Sequence, residues 1–160
     1  IEADPADPTS KPRWVPYATA ALPGGSRDLL MLLQPSADAS TCAARLLPMD
    51  ETDLRWGGTR LVNFTTKRLF GQIAGKAFAV ASGDSAILPF VASRREVVDI
   101  ILAAENAKGA RELVFSSKGI FSRSKRTCLF IVEKPDGTYE ARAIDEPNPD
   151  PKAYDSEPGR

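Results

Sequence analysis

Thr127-Cys128-Leu129-Phe130-Ile131-Val132-Glu133, then Lys134-Pro135-Asp136-Gly137, then Tyr139-Glu140-Ala141-Arg142-Ala143-Ile144 is the stretch on which the fold turns. Two short runs rich in β-forming residues flank a four-residue connection. Proline presets φ at the second turn position, and glycine supplies the positive φ that closes it. Such a segment reads as an antiparallel hairpin. The same grammar recurs upstream. Apolar runs occupy residues 14–17, 29–34, 42–49, 59–65, 69–74, 76–81, 85–92, 97–104 and 111–116. Ala74-Gly75 and the Asn106-to-Gly109 segment are further turn signals. Strand-length runs with a turn about every ten residues predict an all-β domain. The expected architecture is an antiparallel β-sandwich, Ig-like in its layering, of about nine or ten strands over residues 13–144.

One segment argues against an all-β reading. Ser93-Arg94-Arg95-Glu96 has the form of a helix capping box, and residues 97–105 could continue as a helix closed near Gly109. Yet Val97, Val98, Ile100 and Ile101 are β-branched and stiff at χ1. Strand is the favoured reading, with helix as the alternative. A short helix in the connection 50–54 also fits the sequence.

Residues 1–12 and 145–160 are dominated by Pro, Asp and Glu. With fixed φ angles, missing N–H donors and few apolar groups, both read as extended terminal arms. The chain opens at Ile1 without a signal-peptide pattern, as a mature or excised form would. No apolar run approaches the roughly 20 residues of a membrane-spanning helix.

Composition narrows the chemistry. The 160 residues include no histidine, so no Ser-His-Asp or Cys-His relay and no His-ligated metal can be built. Two cysteines cannot form a four-thiolate zinc site. No cofactor is expected. The 21 basic and 21 acidic side chains cancel overall but are unevenly spread. Residues 1–54 carry a balance of −4, residues 55–126 one of +8, and residues 127–160 one of −4. A basic middle admits an anionic partner but not a grossly cationic nucleic-acid binder.

Candidate contacts follow from the distinctive residues. Trp56-Gly57-Gly58-Thr59-Arg60 forms a sharp entry into a strand. Trp56 is either an exposed stacking platform, with Arg60 beside it, or a lid over the end of the core. The stretch Ser116-to-Arg126 holds Lys118, Arg123, Lys125 and Arg126 without an acid, and reads as a mobile loop. It would either bind phosphate, sulfate or anionic glycan, or serve as a solvated connection. Asp50, Glu51 and Asp53 lack an ordered calcium-loop pattern, and carboxylate pairs such as Asp145-Glu146 occur only as sequence neighbours. Asn63-Phe64-Thr65 matches the N-glycosylation pattern but falls inside a predicted strand.

Cys42 and Cys128 both fall in strand candidates. Oxidised, they would close a loop of about 86 residues and stabilise the fold by roughly 4–5 kcal/mol. Otherwise they are two small buried hydrophobes. The proline-rich arms suggest export, which favours the disulfide.

From Trp56 to Thr65 the chain resembles a group of uncharacterised, exported, β-rich bacterial proteins, in which an aromatic-Gly-x-x-Arg-x-x-Asn-x-Thr segment enters a strand. The short hairpin Gly71-Gln72-Ile73-Ala74-Gly75-Lys76-Ala77-Phe78 that follows, and the strands at Leu113-to-Ser117 and Thr127-to-Val132, extend the likeness over roughly residues 29–144. The resemblance implies a β-sandwich, export and strand at 97–104. It carries no catalytic motif, and the cysteines are not part of it. The reading is therefore a non-catalytic, periplasmic or secreted module of the bacterial envelope, with an envelope protein or anionic glycan as partner. The alternatives are a carboxylate-based hydrolase acting on glycan or cell-wall material, and anionic-polymer binding through residues 118–126.

Overall fold

The computed structural model describes residues 16–35, 41–106, 108–150 and 152. The described residues form ten β-strands and no α-helical element. Two compact units result, Ile1–Asp53 and Leu54–Arg160. The arm expected at residues 1–12 lies outside the described residues, as does Trp14.

In the first unit, β1 (Leu29–Pro35) and β2 (Cys42–Pro48) form an antiparallel ribbon in register from Leu29↔Pro48 to Pro35↔Cys42. Asp50 staples its end, its Oδ1 accepting the backbone N–H of Arg27 at 3.0 Å and of Asp28 at 3.4 Å. The Arg27 N–H above all holds this carboxyl below its ordinary value. Residues 50–54 are turn and bend, so the short helix is not formed.

The second unit holds eight strands: β3 (Gly58–Phe64), β4 (Leu69–Ile73), β5 (Lys76–Val80), β6 (Ser85–Val91), β7 (Glu96–Glu105), β8 (Arg111–Phe121), β9 (Lys125–Glu133) and β10 (Tyr139–Pro147). They make two four-stranded sheets, ordered β10-β9-β3-β6 and β5-β4-β7-β8. Neither sheet closes on itself. One core draws on both: Leu61, Leu88, Leu129 and Ile131 from the first, and Leu69, Ile73, Ile100 and Leu102 from the second.

β7 settles the helix-or-strand question. Its burial alternates through Val98, Ile100, Leu102 and Ala104 inward, with Val97 and Ile101 outward. That is the period of two of a strand with one covered face, and the β-branched run prevails over the capping box.

The turns form as their chemistry requires. In the β9–β10 hairpin Gly137 has φ 79°, and its N–H reaches the Lys134 carbonyl at 2.9 Å. Asp136 Oδ1 accepts from the Thr138 N–H at 2.9 Å. Ala74 and Gly75 both adopt positive φ, the two-residue turn whose twist matches a hairpin.

One expectation needs correction. The sandwich was to be wholly antiparallel, but β3 and β9 pair in parallel, Thr59↔Thr127 through Phe64↔Val132, so that sheet is mixed. β3 is hydrogen-bonded on both edges and buried at every position from Gly58 to Asn63. Cys42 and Cys128, expected either as a disulfide or as two small buried hydrophobes, are each buried.

Asn63 holds the strand ends of the second unit together. It is fully buried, and its Nδ2 donates to the carbonyls of Lys67, Val80 and Ala81 at 2.8, 3.2 and 3.0 Å. Its Oδ1 accepts the Thr65 N–H at 3.0 Å. An amide so engaged is no glycosylation acceptor in the folded protein.

Candidate functional site: a cleft between the two sheets

The stretch read as a mobile basic loop is mostly strand. β8 runs to Phe121 and β9 begins at Lys125, leaving only residues 122–124 as connection. Ser122 and Ser124 lock that turn, their hydroxyls 2.6 Å apart, with the Ser124 N–H donating to Ser122 Oγ at 2.9 Å.

Most of its cations are already engaged. Lys118 Nζ lies 3.2 Å from Asp99, and Lys125 Nζ lies 2.6 Å from Asp145. Arg123 donates to the Lys152 carbonyl at 3.1 Å. Arg126, only 3% exposed, forks onto Glu146 through Nε and Nη2, both at 2.8 Å. Its guanidinium also stacks over the Trp56 ring, 4.5 Å from the centroid. Planar delocalised charge suits both contacts. Trp56 is thus half-buried beneath an internal cation, and its stacking face is occupied. The carboxylates on Lys125 and Arg126 come from β10, which extends to Pro147, into the segment expected as an unpacked tail. Of the predicted contact residues, the structure joins Trp56 to Arg126. Arg60 is buried on the other side of β3 from Thr59, opposite Cys128 in the ladder, and its Nε has no hydrogen-bond partner. Burial raises the Cys128 thiol pKa, against the opposing pull of Arg60 and Arg126.

What the sequence reading missed lies on the inward face. The registers Thr59↔Thr127 and Asp145↔Thr127 place these three residues in one row across β3, β9 and β10. Thr127 Oγ1 donates to Asp145 Oδ1 at 2.7 Å, while Lys125 holds Oδ2. Thr59 is 1% exposed, and its hydroxyl has no partner. A buried hydroxyl without a partner costs about 1–3 kcal/mol, so this one stands out. Beside it the β3–β6 register shifts between Gly58 and Arg60, the kind of irregularity that re-aims side chains next to functional sites.

The row forms one end of a cleft of about 560 Å3 between edge strands β8 and β10, which terminate the two sheets. Leu129, Ala141 and Ala143 continue its first wall beyond the polar row. Ile100, Phe115, Ser117 and Phe121 make the opposite wall. Lys125 and Asp145 are its charged side chains on the inward face; Lys118 borders it, but its ammonium pairs with outward-facing Asp99 on the other face of the sheet. Its volume falls within the range of small-molecule sites, and a largely apolar wall with a few convergent polar groups is their usual composition.

Among the described residues no cluster of three or more His, Cys, Asp or Glu side chains could hold a metal ion, and no helix is long and apolar enough to cross a membrane. No family model matches the chain, and no characterised protein matches it significantly in sequence.

Proposed function

We propose that this protein is a non-catalytic binding module whose ligand site is the cleft between β8 and β10. The observation that carries the reading is the Thr59 hydroxyl, buried and unpartnered in the wall of an open, largely apolar cleft. A two-sheet scaffold with Ig-like layering would present such a site rigidly. The reading places the module in the bacterial envelope, periplasmic or secreted, on the strength of its proline- and acid-rich termini and its likeness to exported β-rich proteins. An envelope protein or glycan would then be its larger partner. The engagement of buried Arg126 with Glu146 and Trp56, and of Arg123 with the Lys152 carbonyl, weighs against a polymer site on residues 118–126.

Ala143 is exposed on edge strand β10 and lines the cleft, so Ala143→Trp should fill the site without disturbing the core. Ligand-observed NMR with a diverse small-molecule panel should give hits that this variant loses. Hits unaffected by Ala143→Trp would refute the cleft as the site. Turnover of chromogenic glycosides or esters, abolished by Asp145→Asn, would establish the hydrolase instead.

A further inference from the structure

We infer that the outer face of the β5-β4-β7-β8 sheet is the docking surface for a second copy of this chain, independently of the cleft on its inner side. Strand alternation sends Val97, Asp99, Ile101 and Glu105 outward from β7, away from the core. Their ladder partners on β8 are Ile120, Lys118, Ser116 and Arg111. The apolar members stand in the open: Val97 is 64% exposed, Ile120 50% and Ile101 41%. Leu113, opposite Ala103, is 67% exposed. Phe70 of β4 extends that row, and Arg111 lies over its ring at 3.9 Å from the centroid. Apolar rows therefore lie on either side of the Asp99–Lys118 row, and the Glu105–Arg111 row closes the face. From Val97 to Glu105 is about 27 Å of strand, and four strands are about 19 Å wide. The face thus measures up to about 500 Å2, and two such faces together reach about 1,000 Å2, the lower end for specific association.

Charge selects the occupant and its orientation. In both charged rows the acid stands on β7 and the base on β8. A two-fold axis parallel to the strands and midway between β7 and β8 sets β7 of each copy over β8 of the other, row on row. Asp99 then meets the partner's Lys118, Glu105 meets the partner's Arg111, and Val97 covers the partner's Ile120. Each pair forms twice, as an isologous interface requires. An axis across the strands would instead lay β7 on β7, with acids over acids or over apolar rows. The Asp99–Lys118 contact within one copy joins side chains 67% and 72% exposed, so it contributes little alone. Its two groups can exchange partners across the interface at little cost, where they fix register and orientation. Aligned face-to-face packing about 10 Å apart is the usual way for a sheet to cover an apolar face. An anionic surface fits less well, because the two charged rows carry as many acids as bases.

The test is sedimentation equilibrium of the full chain. A reversible dimer should be half-formed at about 100 μM protein or below, as a small interface allows. Asp99→Lys and Lys118→Asp change exposed side chains and should leave the fold intact. Each should weaken self-association by about tenfold or more, because four like charges then face one another across the axis. An equimolar mixture of the two variants should associate at least as tightly as the parent, since each supplies the sign the other lacks. The double variant Asp99→Lys/Lys118→Asp should dimerise again. Single variants that dimerise like the parent, or a mixture no tighter than either variant alone, would overturn the inference. A parent that stays monomeric throughout would overturn it too. If that monomer co-sediments with phosphatidylglycerol vesicles and Ile101→Asp does not, the face belongs to a lipid surface instead.

Discussion

Replacing Thr59 with valine should make the protein more stable. Valine keeps the branched shape and the β-preference of threonine, and exchanges only Oγ1 for a methyl group. Oγ1 sits at a position 1% exposed with no hydrogen-bond partner. Two contributions favour the variant. Removing an unsatisfied buried hydroxyl relieves about 1–3 kcal/mol, and burying a methyl group adds up to about 0.8 kcal/mol. Partial relaxation around the new group offsets some of this, so a net gain of about 1 kcal/mol is the conservative figure. For a unit of roughly 100 residues that raises the melting temperature by about 4–8 °C. Calorimetric melting and urea unfolding of the full chain are the assays, read beside Thr127→Val. That second variant removes the donor to Asp145 and should lower stability by about 1 kcal/mol. Thr59→Val melting at or below the parent would refute the reasoning. It would mean that the Thr59 hydroxyl is satisfied in solution, and the chemical argument for a ligand at that end would go with it.

Four other outcomes follow from the geometry. Arg126→Lys cannot fork onto Glu146 or lie flat on Trp56, and should lower stability by about 1–3 kcal/mol in urea unfolding. Asn63→Asp turns a carboxylate towards the carbonyls of Lys67, Val80 and Ala81, and should cost about 3 kcal/mol or more, read as loss of cooperative melting at the parent's temperature. Glu133 is held below the ordinary Glu value, first by the Thr66 hydroxyl and then by the Thr66 N–H and Lys67. A depressed carboxyl stabilises the fold above its unfolded value and loses that contribution as pH falls through the folded one, so urea midpoints should drop between about pH 5 and 3. Glu133→Gln should flatten that part of the profile. Heparin retention should be weak and barely altered when Arg123, Lys125 and Arg126 are neutralised, because Asp145, Glu146 and the Lys152 carbonyl already hold them; strong salt-sensitive retention lost in that variant would restore the anionic-polymer reading.

Local chemistry explains which features could be read from the chain. The Lys134-to-Gly137 turn, the Ala74-Gly75 turn and the β-branched run of β7 are each set by a few neighbouring residues, and each forms as expected. The failures were non-local. Nothing near Thr59 signals that β3 will pair in parallel with a strand far along the chain, so the row with Thr127 and Asp145 was invisible. A period of two puts Thr59 on the face of Leu61 and reaches no further. The basic stretch misled for the same reason: its neutralising acids are contiguous in space, across the β9–β10 ladder, rather than in sequence. Trp56 stands out in the sequence, but the cation above it comes from a strand 70 residues later.

The parallel ladder between β3 and β9 also sets an order of events during synthesis. Thr59 and its partner Thr127 lie about two thirds of the second unit apart, and β4 to β8 must all be made before that ladder can form. The hairpins β4–β5 and β7–β8 can close on microsecond timescales as soon as they emerge. β3 cannot: until β9 arrives it has β6 on one edge and an open row of donors and acceptors on the other. Long-range pairing of this kind slows folding and leaves the nascent chain prone to association. A chain stalled before residue 125 would leave that edge of β3, the strand that carries Thr59, open.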